Sequence, residues 1–331
     1  MIEGKQTDTL PLMPVTMMIA ADEIGVPYGT YATDFRRHVE GQCAIAEHYD
    51  IDYVSAISDP AVEAHDCGAT IQFYEDQPPA VDEEHALLLD KSSLVSLKKP
   101  NPADGKRMSN RLNVLSGLRQ AVGEEKLVEG WIEGPCAEAA DLRGINRIML
   151  DFYDDPAFLR DLFEFVTEME IDFARAQIEA GADCIGIGDA AASLVGPQLY
   201  NEFVWEYEKR YVEAIHEAGG IVRLHVCGNT TEIVDGFAKL GIEIVDIDSL
   251  APFDRARRDA GPDQILLGNI DPVRVLRDGT PGYIYDQLEQ CWSIAEPNYI
   301  VGAGCEIPRD TAEDNFMTMT RFARDKVNPR S

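Results

Sequence analysis

Ile221-Val-Arg-Leu-His-Val-Cys-Gly228 is an apolar run that follows Gly219-Gly220 and closes on His225-x-Cys227. A run of this kind, bounded by glycine, predicts a buried strand. On an extended strand residues two apart share a side, so the imidazole of His225 and the thiol of Cys227 face the same way. Working outward, similar runs recur: Tyr53–Ile57, Lys126–Ile132, Cys184–Ile187, Ile242–Val245, Ile265–Gly268 and Tyr299–Val301. Stretches with helical spacing separate them, at about 110–122, 156–180, 198–218, 232–240, 253–260, 284–295 and 311–325. Strands alternating with helices imply a parallel sheet covered by helices. With Pro14–Ile19 read as a first strand and a helix over about 31–48, roughly eight such units predict an α/β fold of the (β/α)8 barrel type. An open doubly wound sheet is the alternative. Residues 1–12 read as an N-terminal arm and 13–326 as the barrel. The stretch 75–102, broken by Pro78-Pro79, reads as an inserted segment.

Polar residues gather where the apolar runs end: Asp59, Glu133, Asp189, His225, Cys227, Asp248, Asn269 and Cys305. A barrel carries its chemistry on that face. His225, Cys227 and Cys305 form a one-nitrogen, two-sulfur donor set, which suits zinc and leaves a fourth position open. No local Cys-x-x-Cys knuckle is present, as a purely structural site would favour. Water, Glu133 and Asp248 are the alternatives for the fourth position. A thiol on such an ion is deprotonated and nucleophilic. Asp59, Asp189, Asn269 and Asp271 are candidate pocket residues for a substrate or cofactor. The competing reading for each is ordinary cap or loop chemistry.

The 331 residues include 29 basic and 59 acidic side chains, a formal net charge of -30. Such a surface repels nucleic acid and anionic membranes. It serves solubility or salt tolerance, or it docks a basic partner. Seven cysteines without framework spacing point to reduced thiols and a cytoplasmic setting. Neither a signal pattern nor a membrane-length apolar stretch is present. No GxGxxG turn or Walker loop supports a phosphate cradle.

Over roughly 50–325 the chain resembles the uroporphyrinogen decarboxylase superfamily. Ser58-Asp59, Glu133-Gly-Pro135, His225-Val-Cys-Gly228, Gly268-Asn-Ile-Asp-Pro272, Gly304-Cys-Glu-Ile-Pro308 and Thr311-Ala-Glu-Asp-Asn315 carry the resemblance. Within it, His-x-Cys followed by a distant Gly-Cys-x-x-Pro is similar to the zinc-dependent corrinoid methyltransferase branch. That resemblance implies a barrel, a zinc ion on His225, Cys227 and Cys305, and a corrinoid (methylcobalamin) carried by a small partner protein. It further implies methyl transfer to or from a thiol or other small molecule. The decarboxylase branch is the alternative, a lyase acting on a tetrapyrrole or another polycarboxylate. That branch has His where this chain has Cys305, and its N-terminal Arg motif is missing around Met17–Ile24. Its tetrapyrrole-gripping Asp matches Asp59. A third reading is a non-catalytic barrel braced by zinc.

Overall fold

The computed structural model describes residues 8–104 and 106–326. Seven parallel strands form one curled sheet in the order β1 (Tyr53–Ser55), β4 (Leu127–Glu133), β5 (Cys184–Gly188), β6 (Ile221–Val226), β7 (Ile244–Ile247), β8 (Ile265–Gly268) and β9 (Tyr299–Ile300). β2 (Ile71–Gln72) and β3 (Ala80–Val81) pair separately as a short antiparallel ribbon. The barrel strands are buried almost throughout, as parallel strands covered on both faces must be.

The eighth place in the ring is taken by the chain around Leu12. Met13 N–H donates to Val301 O (2.9 Å), and Val301 N–H to Pro11 O (2.8 Å). On the other side Asp52 N–H donates to Leu12 O (3.1 Å). Leu12 N–H finds the Asp52 carboxylate at 2.7 Å. The architecture is therefore a TIM-type barrel, closed by residues near the N-terminus.

This corrects the expectation of a strand over Pro14–Ile19. Pro14 has no N–H for the ladder, so pairing stops at Met13. The apolar residues beyond it turn into the helix Met18–Glu23. Leu10 and Leu12, read as part of an arm, are fully buried. The helix expected over 31–48 is two helices, Tyr28–Thr33 and Phe35–His48, divided at Asp34. Asp34 accepts from Arg36 N–H (2.9 Å) and caps the second. Three helices went unread, the short Val62–Cys67 and the longer Pro135–Arg143 and Ile145–Asp154.

Other elements follow the expected rhythm. Pro156–Glu179 is one long helix opened by an Asp155 cap onto Phe158 N–H (3.3 Å) with Pro156 at its first position. Residues 75–102 hold β3 and two short 3-10 turns, Glu83–His85 and Lys91–Ser96. Arg143 donates to Leu88 O (2.6 Å) and ties this segment to the barrel.

Inside the barrel lies a buried charge network. Arg223 is fully buried and reaches Glu129 (3.1 Å) and Asp246 (2.6 Å). Its guanidinium also lies over the Tyr53 ring. Buried ions persist only when paired and hydrogen-bonded in this way.

Candidate metal centre

Two residues beyond Arg223 on the same strand stands His225, and two further Cys227. The period-2 rule carries the buried network upward into a donor set. His225 Nε2 lies 3.0 Å from Cys227 Sγ, and Cys227 Sγ lies 4.0 Å from Cys305 Sγ. All three donor atoms fall within 4.8 Å of one another. Among the described residues this is the one group of three His, Cys or acidic side chains placed to share an ion.

Loop chemistry brings Cys305 there from 78 residues away. Gly304 N–H donates to Ile270 O (2.9 Å). A Cβ on Gly304 would press into the Asp248–Ser249 backbone, so only glycine lets the loop after β9 come so close. On the other side Gly228 turns the chain straight after Cys227 with a φ of 95°. Its N–H donates to Asp248 Oδ2 (2.8 Å).

The donors' electrostatics pair a protonated imidazole with a thiolate, so a metal ion binding there would displace the ring proton. Burial alone would keep the His225 ring neutral, but Asp246 outweighs it and raises the imidazole to about 10. His225 Nδ1 sits 3.0 Å from Asp246 Oδ2. A carboxylate behind the ligating histidine orients the ring and increases its basicity. Cys305 is lowered to about 4, first by its hydrogen bond with Cys227, with His225 adding. The same bond, together with burial, pushes Cys227 up. The pair thus holds a thiolate at neutral pH, the form that binds metal.

The triad opens into a cavity of about 230 Å³. Its walls include Val15, Met17, Ile57, Trp131, Glu133 and Glu306. Glu133 accepts from Trp131 Nε1–H (3.1 Å). Burial, then Glu63 and Asp141, raise its carboxyl well above the ordinary range. Glu306 is pushed up to about 7, mainly by burial, and its Oε1 accepts from Met18 N–H (2.8 Å). A second chamber of about 400 Å³ shares Pro60, Glu133, Ala190 and Cys227 with the first and leads outward. A larger concavity, about 600 Å³, lies apart, against Lys98, Lys99 and Asp66, and touches none of the triad.

The remaining expected residues are less evenly placed. Asp59 lines the cavity, but Arg107 clamps both its oxygens (2.6 and 2.7 Å). Asp189 is fully buried and accepts from Ala137 N–H (2.8 Å) and Cys136 N–H (3.4 Å), at the start of the helix Pro135–Arg143. Burial raises it to about 7. Asp248 is committed to backbone, Gly228 N–H through one oxygen and Leu250 N–H (2.8 Å) through the other. Asn269 donates to Asp248 O (3.2 Å) and Ala251 O (2.8 Å). Asp271 caps Val273 and Arg274 N–H. Asp248 braces the turn after Cys227 and Asn269 the loop that holds Asp248, whereas Asp189 and Asp271 act as helix caps. Sequence reasoning did not assign Asp246, Trp131, Glu306 or Arg107 to the site. For Asp246 the sequence offered only the pattern Asp246-Ile-Asp248; what sets it apart is its pairing in register with His225.

The sequence model of uroporphyrinogen decarboxylase (URO-D) matches residues 1–326. The chain belongs to the uroporphyrinogen decarboxylase family. Among curated members, a methylcobamide:CoM methyltransferase MtbA of Methanosarcina acetivorans is 25% identical over 98% of this chain and 95% of its own length. A uroporphyrinogen decarboxylase of Prochlorococcus marinus is 26% identical over 81% of this chain and 78% of its own length. Among solved structures, a methyltransferase from Methanosarcina mazei superposes with a TM-score of 0.88 at 22% identity, covering 98% of this chain and 96% of that one. The likeness of that barrel confirms the fold. No described helix is long and apolar enough to cross a membrane.

Proposed function

We propose that this family member is a zinc-dependent methyltransferase, moving a methyl group between a corrinoid on a small partner protein and a thiol or other small molecule in the cavity. The observation that carries the reading is the convergence of His225, Cys227 and Cys305 on the wall of a largely apolar chamber. That donor set and its thiolate character fit zinc. When bound, the ion supplies Lewis acidity that makes a coordinated thiol nucleophilic or polarises the atom bearing a methyl group.

The chain's own residues do the rest. Asp246 orients the His225 ring. Glu133, which lines both chambers, is our choice for the fourth ligand before substrate arrives, since both Asp248 oxygens are engaged by backbone. Apolar walls exclude water from the reacting atoms. The outer chamber gives the corrinoid its approach, and the acidic surface is available to the carrier protein. Relatives named as methylcobamide:CoM methyltransferases across nearly the whole chain support the reading. All seven cysteines are free thiols, consistent with a reducing, cytoplasmic setting.

The decarboxylase alternative is disfavoured by Asp59. In that branch the matching Asp grips the tetrapyrrole, whereas here its carboxylate is held at both oxygens by Arg107. Purified protein should carry about one zinc per chain. Cys305→Ser should lose both zinc and methyl transfer with an unchanged circular dichroism spectrum. Full transfer by a metal-free Cys305→Ser protein would sink the reading. Decarboxylation that survives a chelator would favour the lyase.

A further inference from the structure

The chamber beside the triad offers a small molecule an apolar wall and no free charge. Val15, Met17, Ile57, Pro60, Trp131 and Ala190 form most of that wall. Among the described residues no lysine or arginine belongs to it. Its three carboxyl groups are each committed elsewhere. Asp59 is held at both oxygens by Arg107. Glu133 accepts from the Trp131 indole and is our choice for the fourth ligand. Glu306 accepts from Met18 N–H, where the helix Met18–Glu23 begins. Arg309, three residues beyond Glu306, is turned away to Asp22 (2.9 Å) and Asp76 (3.0 Å). The metal centre adds no net charge, since a divalent ion on two thiolates and one imidazole is formally neutral. A charged tail entering this chamber, of either sign, would leave water and meet no free counter-ion. An apolar tail would meet surface that gains by being covered.

We propose that the small methyl donor or acceptor of this chamber is uncharged and apolar beyond its reacting atom, as a short alkyl thiol is, and that molecules with an ammonium, carboxylate or sulfonate tail are rejected. The inference rests on the methyl-transfer reading of the triad and names the substrate class for it. Size agrees: about 230 Å³ suits a compact molecule below the usual range of about 300–1,000 Å³ for drug-sized sites. Specificity arises here by exclusion, because a wrong substrate must leave an ion buried without a partner.

The test uses zinc-loaded full-length protein and thiols that differ only at the far end of a two-carbon chain. They are 1-propanethiol, 2-mercaptoethanol, 2-aminoethanethiol and 2-mercaptoethanesulfonate. Sulfur coordination is read by zinc-edge X-ray absorption, and affinity by calorimetry corrected for each thiol's own acidity. Burying an unpaired ion costs more than a tenfold change in affinity represents, so 1-propanethiol should bind at least about tenfold more tightly than the aminothiol or the sulfonate, with 2-mercaptoethanol between. Ile57→Lys places a cation on the wall and should narrow the gap between 1-propanethiol and the sulfonate. An unchanged gap in a folded Ile57→Lys protein would overturn the inference, because the wall would not be what selects. If that variant does not fold, the wild-type series decides alone. If a thiol coordinates zinc but either charged one binds as tightly as 1-propanethiol, the substrate class is overturned and the metal reading stands. If no thiol reaches the ion, both fall.

Discussion

Asp246 links the barrel's buried charge to its chemistry. It takes Arg223 at 2.6 Å on one side and lies 3.0 Å from His225 Nδ1 on the other. Replacing it by Asn keeps the volume but removes the charge that orients and polarises the imidazole. Losing such a partner typically costs about 10–100-fold in metal affinity. Asp246→Asn should therefore weaken zinc binding by that order in a chelator competition. It should also lower stability, because Arg223 is left with Glu129 alone. Zinc affinity equal to wild type would show that the ring is held by packing and not by the carboxylate. The donor atoms themselves were legible, because His and Cys at the ends of apolar runs are rare and chemically specific. Asp246 was not, because an aspartate on a strand is equally a cap, a loop residue or an ion-pair partner. Only the β6–β7 register separates those roles.

At the level of elements, β5 is built around its neighbour's tryptophan. Trp131 on β4 occupies the space that side chains at Gly186 and Gly188 would fill; a Cβ on Gly188 would lie 2.8 Å from Cζ2 of the indole, and one on Gly186 would lie still closer to the ring. Gly186→Ala should thus displace the indole that hydrogen-bonds Glu133 and lines the cavity. Overpacking a tight core typically costs about 1–3 kcal/mol. The urea midpoint should fall by that energy divided by the slope, with the slope itself unchanged, and tryptophan fluorescence should shift. An unaltered midpoint would mean the strands simply spread. The strands could be read from sequence because burial on both faces leaves continuous apolar runs. The helix Pro135–Arg143 could not. Pro135–Arg143 buries Cys136, Glu138, Ala139, Ala140 and Leu142 alike, so it shows no helical stripe, and the Asp189 carboxylate at its start comes from another strand's end. The closing strand was misplaced by a few residues for a related reason. Met13 ends its ladder where Pro14 withdraws an N–H, and hydropathy does not register that difference.

For the molecule as a whole, a formal charge of -30 across 331 residues sets self-repulsion against local pairing. Arg309 and Arg324 show the pairing, each shared between two aspartates from distant parts of the chain. With acidic side chains outnumbering basic ones 59 to 29, there are too few cations to pair every carboxylate. Added salt weakens both effects, since the Debye length falls from about 10 Å at 0.1 M to about 3 Å at 1 M. Exposed pairs contribute only about 0–1 kcal/mol each, so repulsion should dominate the balance. The thermal midpoint should therefore rise as potassium chloride goes from about 0.1 M to about 1 M. A flat or falling midpoint would show that the ion-pair networks outweigh the excess charge. The same titration bears on what the charge is for. If the midpoint climbs steadily while binding of a basic carrier protein is lost over the same range, the acidic surface both resists salt and docks its partner. If the midpoint climbs and carrier binding does not change, the excess carboxylates serve the folded chain alone, and a search for a docking face would turn to the exposed Leu194 and Leu250 beside the β5 and β7 loops.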